Sequence, residues 1–184
     1  MVPIHNITFS YHAAEDRIIL SCTLVDQEKA TLLLTRRMAG PILERLAQLL
    51  VDSSKSVATL PSEMREEVMM VEHARALARV AEQVSTSEPV PELAGETLLR
   101  VNGNLITRVD IHPDGERCSL LFFCDGNDSV LTGLTLNRAQ LHWFADATDR
   151  FAQRGGWVLQ AAQRNWLAKK DADAAGAPQA AMLH

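Results

Sequence analysis

From Ile7 to His12 apolar and polar residues alternate, with Ile7, Phe9 and Tyr11 on one face and Thr8, Ser10 and His12 on the other. A period of two predicts a half-buried strand. After the polar turn Ala13–Asp16 the alternation resumes from Arg17 to Val25, with Ile18, Leu20, Cys22 and Leu24 on one side. Asp26–Lys29 turns again, and Ala30–Thr35 gives a third strand. Short polar turns between alternating runs predict an antiparallel meander. The period then changes: Met38, Ile42, Leu46 and Leu49 recur at helical spacing from about Arg36, widened by Leu43 and Leu50. Pro41 sits badly in that helix, because proline lacks the N–H and clashes with the preceding turn. The spacing predicts either a start at Gly40–Pro41 or a distorted first turn.

The same order returns later. Leu105, Thr107, Val109 and Ile111 alternate, Pro113-Asp114-Gly115 turns, and Arg117–Cys124 follows. That run is apolar on both faces: Cys118, Leu120 and Phe122 on one, Leu121 and Phe123 on the other. Such a strand is covered twice or lies in an interface. Asp125–Asp128 turns into a strand from Ser129 to Leu136. Asn137 with Gln140 fits a capping box, Leu136 with Leu141 a hydrophobic staple, and Gly155-Gly156 a helix end. The apolar face of this helix reads Leu141, Phe144, Thr148 and Phe151. An extra short strand, Thr97–Val101, precedes this second set, and Asn102-Gly103 predicts a type I′ hairpin turn after it.

The segments Thr8–Leu50 and Arg108–Arg150 align without gaps at a constant offset of 100 residues, pairing His12 with His112, Arg17 with Arg117, Leu34 with Leu134 and Ala39 with Ala139. The expected fold is therefore α+β, with two pseudo-symmetric antiparallel β-meander-plus-helix repeats and an inserted helix between them. The first βββα repeat covers 1–52, and an inserted helix with a Pro-containing linker covers 53–96. The second, ββββα repeat covers 97–156, and a short C-terminal helix from Trp157 to about Lys169 and a disordered tail cover 157–184. The repeats are expected to pack as one domain. Within the insertion, Ser62 is the expected N-cap of a helix from Glu63 to Val84, with Met64, Val68, Val71 and Leu77 pointing broadly one way.

Composition narrows the function without naming it. Hydrophobic residues at 47% supply a core, and a net charge of −5 argues against general attraction to nucleic-acid phosphates. No apolar run approaches the ~20 residues of a membrane span, and the N-terminus lacks the pattern of a secretory signal. Three cysteines, Cys22, Cys118 and Cys124, suggest reduced thiols in a cytosol. Cys118 and Cys124 share one strand at a separation of ~20 Å, too far for a disulfide.

No nucleophile elbow, phosphate loop, H-E-x-x-H or Cys-x-x-Cys motif is present. The pair His12 and His112 reads as turn-flanking. Glu66 and His73 share a helix face but stand two turns apart. Asp146 and Asp149 read as a solvated face. Trp143 beside Phe144 is more informative, since helix neighbours diverge by ~100° and both do not fit one core easily.

Strands followed by a helix, present twice, are similar in outline to the duplicated modules of PUR and Whirly single-strand nucleic-acid binders. Those carry a further strand per repeat, which the first segment here lacks, and basic and aromatic residues on the exposed sheet. The similarity implies a single-stranded nucleic-acid binder using the sheet face. The residues favour a non-catalytic binding or assembly protein of the bacterial cytoplasm: an adaptor, subunit or homo-oligomer meeting a protein partner through Leu121, Phe123, Trp143 and Phe144. A third reading is an enzyme or ligand-binding protein with a pocket between the repeats. No cofactor, metal or membrane is expected.

Overall fold

A computed structural model describes residues 2–84, 102–159, 166–167 and 180–182. The chain begins with β1 (Val2–His12), β2 (Arg17–Leu24) and β3 (Lys29–Thr35), followed at once by α1 (Arg36–Asp52). Two further helices, α2 (Lys55–Ala58) and α3 (Ser62–Val84), lead to β4 (Asn104–Asp114), β5 (Arg117–Cys124) and β6 (Thr132–Asn137). Then come α4 (Arg138–Arg154) and a short β7 (Ala180–Met182). The fold is α+β, with a mixed sheet and four helices.

The strands of each half pair antiparallel, as the short turns require. The halves meet through two parallel contacts of two residue pairs each: Leu32 and Leu33 of β3 with Asn104 and Leu105 of β4, and Val2 and Pro3 of β1 with Thr132 and Gly133 of β6. Because β1 also pairs with β2, the six strands close into a ring. Beyond each parallel contact the neighbouring strands separate. On β1 the vacated edge is taken by β7, which pairs antiparallel with Asn6, Ile7 and Thr8. On β4 the edge beyond Leu105 has no strand partner among the described residues.

The core lies between this sheet and the helices. Ile7, Phe9, Ile18, Leu20, Leu120 and Phe122 face inward and are buried, as the alternation predicts. Phe9 sits at the centre, edge-on to Trp143 and Phe144 and stacked on Phe151 at 6.0 Å. α4 is buried on every side from Gln140 to Asp149, because the sheet lies on one flank and α1 and α3 on others.

The two halves repeat their element order, but a constant offset of 100 does not hold through them. The buried positions Ala39, Ile42, Leu43, Leu46, Leu49 and Leu50 of α1 match Leu141, Phe144, Ala145, Thr148, Phe151 and Ala152 of α4, each 102 residues later. The first hairpin turns through four residues, Ala13–Asp16, whereas the β4–β5 turn leaves only Gly115 and Glu116 between the strands.

Other expectations also change. Gly103 does not have the positive φ that the second central position requires, so no type I′ turn forms there. Gly103 instead allows close approach: a Cβ would stand 2.9 Å from Thr31 Cγ2 and 3.0 Å from its carbonyl. Helix α1 runs unbroken from Arg36 through Pro41, which is exposed and cannot bond the Arg37 carbonyl. The buried stripe of α3 is Met69, His73, Ala76 and Val80, while Met64 and Val71 are exposed. Trp157–Leu159 are not helical, and Ala180–Met182 of the expected tail form β7. The expected linker and the strand Thr97–Val101 lie outside the described residues.

Candidate functional site

Two places combine chemistry with space. The first lies where α3 crosses α4. On α4 the residues Arg138, His142, Asp146 and Arg150 recur every fourth position, so they form one polar stripe facing α3. From α3, Glu72 and His73 meet it. The His73 and His142 Nδ1 atoms are 3.1 Å apart, which requires one proton between two otherwise repelling lone pairs. Glu72 Oε1 stands 3.7 Å from His142 Nε2. That carboxylate favours the tautomer with the proton on His142 Nε2, which makes His73 the donor across the contact. His73 Nε2 in turn lies 3.7 Å from Asp146 Oδ1. Trp166 covers both imidazoles edge-on, at 5.6 Å and 6.0 Å between ring centres.

Around this pair Glu72, Arg138, Asp146 and Arg150 have fixed partners. Arg138 holds Glu72 through Nε and donates to Ser53 Oγ at 2.5 Å and to the Leu50 carbonyl at 2.6 Å. Ser54 Oγ donates to the other Glu72 oxygen at 2.9 Å. These bonds tie α1, α2, α3 and α4 together. Burial pushes Glu72 upward, but the hydrogen bonds from Arg138 and Ser54 win and hold it below the ordinary carboxylate range. Burial likewise opposes ionisation of Asp146, which His73 and Arg150 nevertheless hold low. His142 is pushed down to about 4, chiefly by burial, with His73 and Arg138 adding to it. Asp149 is the exception: burial and then neighbouring Asp146 push it up to about 6. Its Oδ2 accepts from Gln153 at 2.6 Å, but its buried Oδ1 has no hydrogen-bond partner among the described residues. Asp146 and Asp149 are thus interior residues, not the solvated face that their spacing suggested.

Beside the cluster opens a cleft of about 200 Å³ lined by Glu72, Arg75, Ala76, Arg79, Arg138, Ala139 and His142. The buried Nε2 of His142 makes no hydrogen bond among the described residues.

The second place is a groove of about 480 Å³ between α1 and β4. Met38, Pro41, Ile42 and Arg45 form one wall, and Thr107–His112 form the other. It runs along the open edge of β4. Arg108 is occupied: it pairs with Asp110 at 3.3 Å and lies 3.6 Å over the Phe123 ring.

The residues proposed for partner contact are scattered by the fold. Trp143 and Phe144 are buried in the chain's own core against Phe9. Phe123 is buried beneath Arg108, and Leu121 is half-buried beside Asp110 in the sheet. His12 accepts the Glu15 N–H at 3.2 Å within the hairpin turn, whereas His112 lines the groove. All three cysteines are buried free thiols. Cys124 is near enough to help raise the Cys22 thiol, which burial mainly drives to about 12. Among the described residues no three His, Cys, Asp or Glu side chains are grouped to hold a metal ion, and no helix is long and apolar enough to cross a membrane.

Sequence reasoning missed the His73–His142 contact because 69 residues separate its members. One signal was available: His73 occupies an apolar stripe position between Met69 and Ala76, where an imidazole needs a partner. No protein-family model, no curated protein and no solved structure matches the chain.

Proposed function

We propose that the protein is a non-catalytic binding or assembly component that takes an extended segment of a partner protein along the edge of β4. The carrying observation is the edge of β4 above the α1 groove, which has no strand partner among the described residues. An unpaired strand presents a row of backbone donors and acceptors, and a partner strand satisfies them at little conformational cost. The chain covers the corresponding stretch of β1 with its own β7, so the mode of addition is already used once in the fold. The groove chemistry sets the partner's character. Met38, Ile42, Val109 and Ile111 suit apolar residues at alternate positions, and Arg45, which has no ion pair among the described residues, suits one carboxylate. The reading of two related βββα units belongs to this proposal, supported by the shared element order and the two parallel junctions.

Selection of displayed random peptides on the immobilised protein tests the proposal. Enriched sequences should alternate apolar residues and carry one acid. Arg45→Glu, on an exposed position, should weaken them at least tenfold without changing the melting temperature. No enrichment, or enrichment indifferent to Arg45→Glu, contradicts it.

A further inference from the structure

We propose that the cleft between α3 and the start of α4 binds a small dianion of the phosphate class, held by Arg75, Arg79 and Arg138 over the buried Nε2 of His142. Three guanidiniums line this cleft against the single carboxylate of Glu72. Two positive charges are therefore left over, on a chain whose net charge is −5. Arg75 and Arg79 lie one turn apart on α3, so both reach the same opening. Neither has an ion-pair or hydrogen-bond partner among the described residues. Guanidinium forks match the geometry of phosphate oxygens, and two together neutralise a dianion.

His142 supplies the second, independent observation. It is fully buried, it lines the cleft, and its Nε2 lacks a hydrogen-bond partner among the described residues, with Glu72 Oε1 at 3.7 Å beyond hydrogen-bond reach; a buried N–H left in this state is costly unless something accepts from it. With Nδ1 facing the His73 donor, the proton on Nε2 is available to an oxygen in the cleft. Arg138, already fixed by Glu72, Ser53 and Leu50, presents a preorganised edge. Ala139 in the first turn of α4 places the positive end of that helix at the same rim. A volume of about 200 Å³ suits one such group rather than a drug-sized ligand. A free anion and the phosphate of a small monoester share this chemistry.

Calorimetric titration of the full chain with inorganic phosphate, and separately with glycerol phosphate, at fixed ionic strength tests the site. Saturable binding is expected, and the double variant Arg75→Ala/Arg79→Ala, at two exposed positions, should weaken it at least tenfold. Tighter binding of inorganic phosphate assigns a free anion, and tighter binding of the ester assigns a phosphorylated small molecule. Either supports the site. Nitrogen NMR of the imidazoles should show the His142 Nε2 resonance moving on binding. Absence of saturable binding by both probes, unchanged affinity in the double variant, or an unmoved His142 resonance overturns the proposal.

Discussion

Asp149 and His142 pull the stability of this protein in opposite directions over the same pH range. Asp149 ionises at about 6 in the folded chain instead of 3.8. The native state therefore holds its proton more tightly than the unfolded chain, and the ionised form is a cost that is relieved as pH falls from 6 towards 3.8. His142 titrates at about 4 instead of 6.5. The unfolded chain takes that proton first, so its contribution is present above 6.5 and lost as pH falls towards 4. The substitution Asp149→Asn removes only the first effect. By thermal melting the variant should exceed the parent at pH 8, and the gap should close towards pH 4. The variant should also lose stability between pH 6.5 and 4 more steeply than the parent. Equal melting temperatures at pH 8 would contradict the burial of an ionised Asp149. None of this was legible in the sequence, because Asp146 and Asp149 carry the spacing of a solvated helix face. What buries them is α3, whose placement local periodicity does not encode.

At the scale of elements, the reading succeeded where one neighbour decides the pattern. The strands β2 and β3 appear within a residue of the expected bounds, β1 ends at the expected His12 but starts five residues earlier at Val2, and the capping box of α4 forms with Asn137 and Gln140. It failed where a second contact overrides local preference. Asn102-Gly103 has the composition of a hairpin turn, yet β3 draws the chain into a parallel pairing at Asn104 instead. The glycine is needed there for space. Gly103→Ala would place a methyl 3.0 Å from the Thr31 carbonyl, a backbone atom that does not move freely. A loss of about 1–3 kcal/mol is expected from denaturant unfolding, and an unchanged midpoint would show that the junction yields. Pro41 is the complementary case: packing of Ile42, Leu43 and Leu46 holds α1 together through a residue that local propensity would exclude. Its exposed ring became part of the groove wall. The double-faced run of β5, expected either to be covered twice or to lie in an interface, has Phe123 buried under the guanidinium of Arg108 and Leu121 half-buried.

For the whole molecule, closure of the ring is what creates the open edge. Two halves joined by parallel contacts of only two residue pairs leave a gap after each junction. One gap is filled by β7, and the other faces the α1 groove. The most direct measurement is photo-crosslinking in living cells from a benzoylphenylalanine placed at His112, an exposed position lining that groove, with the crosslinked residues mapped by mass spectrometry. The account predicts adducts within one short segment of a partner protein that alternates apolar residues and carries an acid. Adducts confined to residues of this chain would contradict it.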